Sequence, residues 1–310
     1  MKYIKIVATG SSIPNRKVTN KEIEKELSLE ENYIEKRTGI KERFFIEKET
    51  IENLAIQSAK DLIKKIPEEK IQKIDLIIVA TTTVKNLMPG IANAIQKELK
   101  IKKCISFDIL AGCSGYINAL DIAKNYIQTG DINTALIVGV DTLSLFTNKK
   151  DISTAILLSD GAGATLIEST EIPKIYEKNI EVETQNNEIL TCNIDKKIEM
   201  KGLEIYRYAV TKTVQNINEL LKKSNQTLND IKYIIPHQSN LKIIKAIITR
   251  LNINEDKVYT NLQNIGNTFC ASIPIALDEM LEKNLLKEGD KIILIGYGGG
   301  LNTGSILLEI

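Results

Sequence analysis

Cys113, in ILAGCSGYINALDIA, stands directly after an apolar strand-like run and directly before an amphipathic helical one. A thiol at that junction meets unpaired backbone N–H groups and the positive end of a helix dipole. Both favour thiolate and hence a nucleophile. The same position suits a small buried hydrophobe equally well. Gly112 and Gly115 allow a tight turn and close approach of a substrate. His237, the one histidine of the chain, closes the apolar run of KYIIPHQSN. The carboxyl end of a buried strand is where α/β proteins gather ligands, although a structural or exposed imidazole is the competing reading. Asn267, in NIGNTF, reads on its own as a helix cap. Gly298, Gly299 and Gly300 follow another apolar run, and are either a bare turn or a way of bringing a backbone amide to a site. One histidine excludes any two-histidine metal centre, and no metal is expected. Cys104, Cys192 and Cys270 lack the flanking pattern of Cys113 and read as reduced, structural thiols, since no CxxC pair is present.

Elements of ordinary length must position these residues. Of 310 residues, 43% are hydrophobic and 26% charged, which fits one large domain or two smaller ones. With 41 Lys and Arg against 40 Asp and Glu, no charge excess draws the chain to nucleic acid or to an anionic membrane. MKYIKIVATG reads as a strand rather than a signal core, and no apolar stretch approaches the roughly 18 residues of a membrane span. A soluble, cytoplasmic protein is expected. IDLIIVATT, KCISFDIL, TALIVGVD, KYIIP and KIILIGY read as strands, separated by helical segments such as Pro89 to Leu99 and LKIIKAIITRL. That alternation predicts an α/β architecture. There is no GxxxxGK[ST] loop, and DGAGATL lacks the placement of a dinucleotide fingerprint, so neither ATP nor NAD is indicated.

The two halves repeat one order. A strand ending near Ala80 is followed by Gly112-Cys113, and one ending near His237 by Gly266-Asn267. A helix with Ala-Leu-Asp follows each time, at 119 to 121 and 276 to 278, then Gly-Asp and a strand. Two copies of one unit are expected, residues 1–170 carrying Cys113 and 171–310 carrying His237 and Asn267. The boundary falls in the irregular stretch between Glu168 and Asn187. This repeat predicts corresponding helix entrances for Cys113 and Asn267.

Taken together, ILAGCSGY, IIPHQSN, NIGNTFCASIPIAL and GYGGGLNTGS, in that order, resemble the signature set of the β-ketoacyl-acyl-carrier-protein synthase III enzymes of the thiolase superfamily. VATGSSIPNRKVTN, YIEKRTGIKERFF and LLSDGAGATLI extend the resemblance over nearly the whole chain. It implies a thiolase-like α/β fold of two pseudo-dyad-related halves in five layers, α-β-α-β-α, and decarboxylative condensation of an acyl-CoA with malonyl-acyl-carrier protein. Cys113 is then the nucleophile, His237 and Asn267 hydrogen-bond donors for decarboxylation, and the backbone amides of Cys113 and Gly299 the oxyanion site.

By the same resemblance Tyr33, Arg37, Gly202 and Asn240 meet CoA or its pantetheine arm. A family arginine at the adenine is replaced by Ile152, which leaves the choice between CoA and carrier protein as acyl donor open. Arg207, Gln238, Lys242, Lys245 and Arg250 are the expected docking contacts for an acidic carrier protein. Met88 stands where a residue of the partner subunit caps the acyl pocket in homodimers of this family. No permanently bound cofactor is implied. A related condensing enzyme of secondary-metabolite or signal synthesis shares these motifs. A cysteine hydrolase or an inactive scaffold fits them less well, because Asn267 and the glycine-rich tail suit malonyl decarboxylation.

Overall fold

Apolar runs such as LIIVA become strands buried on both faces. The structure is a computed structural model that describes residues 2–185, 187–192 and 197–310. Met1, where the first expected half begins, and Asn186, in the irregular stretch, lie outside the described residues.

In chain order the first sheet elements are β1 (Tyr3–Ser12), the paired β2 (Arg16–Thr19) and β3 (Glu42–Phe45), β4 (Leu76–Ala80), β5 (Ile105–Ile109), β6 (Thr134–Thr142) and β7 (Asp160–Thr170). Then come β8 (Tyr176–Val182), the short pair β9 (Leu190–Thr191) and β10 (Glu199–Met200), β11 (Tyr233–Pro236), β12 (Lys291–Gly298) and β13 (Asn302–Glu309). Helices α1 (Asn20–Glu26), α2 (Tyr33–Thr38), α3 (Ile51–Ile63), α4 (Glu68–Ile71), α5 (Ile91–Glu98), α6 (Gly115–Thr129) and α7 (Ile152–Ala155) accompany the first set. The second set has α8 (Gly202–Ser224), α9 (Leu241–Leu251), α10 (Leu262–Ile265) and α11 (Ser272–Glu282).

The principal sheet orders are β1-β7-β6-β4-β5 and β8-β13-β12-β11. In both, the first two pairings are antiparallel and the next is parallel. The fifth strand of the second sheet is reduced to one parallel bridge, Ile234 to Val258, in the place β5 takes beside β4. The halves are therefore the same unit twice.

The period of two along the strands builds the layers. Leu76 and Ile78 face inward and share a core with Tyr116, Ile117 and Leu120 of α6, Ile273 and Leu277 of α11, and Ile292 and Leu294 of the other sheet. Ile77 and Val79 face the other way, onto α3 and α5. Ile293 and Ile295 face outward onto α8 and α9. Each such side chain, fully buried, contributes about 1.5–3 kcal/mol. The result is five layers, with α6 and α11 between the sheets. Among the described residues no helix is long and apolar enough to cross a membrane.

The Ala-Leu-Asp motifs align Cys113 with Cys270, not with Asn267. Ala80 to Cys113 and His237 to Cys270 are both 33 positions (113 − 80 and 270 − 237). Both cysteines are the middle residue of a single 3-10 turn that leads into a central helix, at Gly112–Ser114 and Phe269–Ala271. The expected correspondence of Cys113 and Asn267 is thus wrong by three residues. Asn267 stands on the approach to the second turn, where its backbone pairs with Leu157 and Ser159.

Candidate active site

A cavity of about 440 Å³ opens at the carboxyl ends of β11 and β12, and Cys113, His237 and Asn267 all line it. Cys113 is held by close backbone approach. A Cβ on Gly298 would stand 2.7 Å from its Cβ and Sγ, and Gly112, at φ +59°, would put a Cβ 2.5 Å from the Gly299 carbonyl. Only glycine fits either place. The backbone N–H groups of Gly299 and of Cys113 itself donate to the sulfur and favour thiolate. Burial acts the other way and is the larger effect, with buried Asp141 adding to it, so the thiol pKa is pushed well up. The activation expected from the helix entrance is present but does not win. In the substrate-free protein the surroundings of Cys113 therefore favour the thiol over the thiolate.

His237 sits where β11 ends, its N–H donating to the Ile295 carbonyl at 2.8 Å. Its ring meets Tyr297 and Phe269 edge-on, with centroids 5.2 and 6.5 Å away. Tyr297 is in turn bonded to Ser239 at 2.7 Å. In this apolar cage burial lowers the imidazole pKa to about 3, so His237 is neutral at physiological pH. The Asn267 side chain is orientated by the chain itself, since its Oδ1 accepts from the Phe269 N–H at 3.1 Å. The amide N–H₂ is left as the group it offers to a ligand. A neutral imidazole and an amide at one cavity can stabilise charge developing on a carbonyl oxygen.

Arg37, Gly202, Asn240 and Lys242 line the same cavity. Tyr33 is not among the lining residues, and its ring carries the Arg37 guanidinium 4.6 Å from the centroid. Asn240 combines both readings, lining the cavity and capping α9 through Lys242 N–H at 2.8 Å. Ile152 is partly exposed, next to Ser153 of the cavity wall. Arg207, Lys242, Lys245 and Arg250 are exposed, Lys245 beside Glu255 and Arg250 bonded to Thr211.

Gln238 is a correction. It is 1% exposed and its amide is consumed internally, by the carbonyls of Pro236 and Tyr259 and the N–H of Asn261. A buried side chain so engaged offers nothing to a docking protein.

A second chamber of about 280 Å³ adjoins Cys113 and is lined by Thr82, Thr83, Leu110, Leu190, Ile198 and Phe269, among others. Phe269 borders both chambers. Met88 is 87% exposed and lines neither chamber of its own chain. Cys192 also departs from the structural reading, being exposed on the second chamber. Cys270 is buried beside Cys113, its Sγ donating to the Gly112 carbonyl at 3.0 Å. A wider depression of about 610 Å³, between Asn229 to Tyr233 and Gly289 to Lys291, is lined by no cysteine, serine or histidine.

Two supports were missed from sequence. Asp141, fully buried at the end of β6, accepts from the hydroxyls of Thr81, Thr82 and Thr83 and from the Cys270 N–H at 3.0 Å, joining the second chamber to the turn after Asn267. Arg43, also fully buried, donates to the Ile156 carbonyl at 2.9 Å and to Asn20, fixing the wall that Ile156 and Leu157 supply. A buried charge within a strand pattern was the available signal for each.

Comparison with known proteins places this site in context. Residues 107–185 match the family model described as 3-oxoacyl-[acyl-carrier-protein] synthase III, and residues 221–310 match its C-terminal model. The chain is 39% identical over 323 residues to a β-ketoacyl-[acyl-carrier-protein] synthase III of Clostridium novyi, covering 100% of this chain and 99% of the relative. The crystal structure of 3-oxoacyl-[acyl-carrier-protein] synthase III from Aquifex aeolicus superposes with a TM-score of 0.96 at 38% identity, covering 99% of this chain and 100% of that one. The priming β-ketosynthase of the R1128 polyketide pathway superposes at 0.93 with 28% identity, covering 99% and 96%.

Proposed function

The chain belongs to the β-ketoacyl-[acyl-carrier-protein] synthase III family, and from that premise we propose how its own residues carry out the reaction. The enzyme condenses an acyl-CoA with malonyl-acyl-carrier protein, giving 3-oxoacyl-acyl-carrier protein, CoA and CO₂, and so initiates fatty acid synthesis. The observation that carries the assignment of roles is the meeting of Cys113, His237 and Asn267, from three separate motifs, at one cavity.

Cys113 attacks the acyl-CoA thioester. The acyl group moves to its sulfur, and the thiol proton leaves with CoA as its free thiol. The backbone N–H groups at Cys113 and Gly299 stabilise the oxyanion formed on the way. Malonyl-carrier protein then binds, and loss of CO₂ places negative charge on its thioester oxygen, where His237 and Asn267 donate. The resulting carbanion attacks the Cys113 thioester, forming the new carbon–carbon bond and releasing the cysteine sulfur, which takes up a proton. No resident cofactor enters these steps.

Arg37, Gly202 and Asn240 flank the pantetheine arm, with Tyr33 and Ile152 nearer the adenine. Arg207, Lys242, Lys245 and Arg250 form the basic face for the acidic carrier protein. The second chamber receives the acyl chain. Leu87, Met88 and Leu110 are exposed apolar residues, with Leu110 on that chamber, which supports a homodimer in which Met88 of one subunit caps the other's pocket. The cytoplasm is the site of action.

Supplying purified protein with a panel of acyl-CoAs and malonyl-carrier protein, and weighing the products, tests donor and reaction class together. His237→Ala and Asn267→Ala should each slow malonyl decarboxylation by about 10²–10³ while Cys113 still acquires the acyl mass. Failure of either variant to be acylated would overturn these roles.

A further inference from the structure

The Nδ1 atom of His237 lies 2.7 Å from Oγ of Ser272, the first residue of α11. Both side chains are buried. The same hydroxyl accepts from the backbone N–H of Gln238 at 3.4 Å, a contact in which the amide can only donate. Among the described residues these are the only hydrogen-bonding partners of Ser272 Oγ, so its own hydrogen has one acceptor in reach, Nδ1. Were Nδ1 itself protonated, it would donate to the serine oxygen and leave a buried O–H with no acceptor, an arrangement folded proteins avoid. The imidazole has no other hydrogen bond among the described residues, which leaves Nε2 as the nitrogen available to the cavity.

We propose that Ser272 is a positioning residue that donates to Nδ1 and thereby holds His237 as the Nε2–H tautomer, presenting the ring to the cavity as a hydrogen-bond donor. The hydrogen bond at one ring nitrogen sets which nitrogen carries the proton. Neutrality is secured separately, since burial keeps the ring from becoming imidazolium above a pKa of about 3. Asn267 is orientated by the same device, its oxygen taken by the Phe269 N–H two residues upstream of Ala271 and three upstream of Ser272. The turn Phe269–Ala271 and the first residue of the helix it enters therefore set the two donors. The catalytic use of this tautomer rests on the reading of His237 given above; the tautomer itself does not.

Because the chain has one histidine, long-range ¹H–¹⁵N correlation on ¹⁵N-histidine-labelled protein at pH 7 shows a single imidazole. The wild type should have a protonated Nε2 and a bare Nδ1. Ser272→Ala should move the ring toward the other tautomer or a mixture, and Ser272→Thr, which keeps the hydroxyl, should restore the wild-type pattern. Ser272→Ala should also decarboxylate malonyl-carrier protein about 10-fold more slowly or worse, with the rate of Cys113 acylation unchanged. A protonated Nδ1 in the wild type, or an unaltered Nε2–H ring in Ser272→Ala, would overturn the proposal. The first of these needs no variant to fold. A disturbed tautomer with unchanged decarboxylation would uphold the placement by Ser272 and overturn the donor role of His237.

Discussion

At Cys113 two backbone N–H groups stabilise the anion while a dry, apolar surround and Asp141 destabilise it, and the surround prevails. On the proposed roles, the site suits charge that forms on a bound thioester better than a standing thiolate. Alkylation by iodoacetamide should report this directly. An ordinary exposed cysteine, with a pKa of about 8.5, reaches its maximum rate soon above that pH. Cys113 should react slowly at pH 7 and continue to rise, about tenfold per pH unit, through pH 9. A plateau below pH 8 would show that the helix entrance wins after all. The position of Cys113 was legible because an apolar strand, small residues and a helix follow one another in sequence. Its protonation was not, since that depends on Asp141 and on β12, which arrive from elsewhere in the chain. Gln238 failed for a related reason. A polar residue in a polar stretch reads as surface, yet here the stretch turns inward and its amide ties Pro236, Tyr259 and Asn261 together.

The turn Phe269–Ala271 joins several of these effects. Phe269 takes a left-handed backbone, φ 45°, a conformation uncommon outside glycine, and puts its ring between the two chambers that meet at Cys113. The Asn267 side chain and the Asp141 carboxylate, bonded to the N–H groups of residues 269 and 270, hold that conformation in place. On the proposed assignment of the second chamber to the acyl chain, a partition beside Cys113 limits which chains fit. Phe269→Ala should raise kcat/KM for longer or branched acyl-CoAs relative to acetyl-CoA by about tenfold, the scale of one or two methylenes of pocket contact. Equal ratios in the variant and the parent, both folded, would remove Phe269 from the specificity argument. The sequence motif NIGNTFCAS showed that this stretch matters, but a chamber wall exists only once β9, α7 and the end of β12 are packed around it.

Across the whole molecule the repeat acquires a mechanical meaning. Asp121, on the central helix of the first half, bonds Tyr176 and Lys178 of β8, the opening strand of the second half. Asp278, its counterpart, accepts from Thr9 of β1, the opening strand of the first half, at 2.8 Å, and from Lys65 at 2.9 Å. The Ala-Leu-Asp motif is therefore a reciprocal tie between halves, which periodicity revealed as a repeat without showing what it touched. Asp278 is nearly fully buried, and removing it strands the Thr9 hydroxyl and weakens the hold on Lys65. Lys65 also pairs with Glu282, whose side chain is 57% exposed, so one lysine offers an internal comparison. Asp278→Ala should lower unfolding free energy in urea by about 2 kcal/mol, allowing for partial solvation of the lysine. Glu282→Ala should stay within about 0.5 kcal/mol of the parent. If the two substitutions cost the same, the stabilisation comes from the lysine's ion pairs alone and the buried tie to β1 contributes nothing. If only Asp278→Ala unfolds early, the halves are held at the same central helices whose entrances carry Cys113 and Ser272, and loosening them should slow condensation before the protein unfolds.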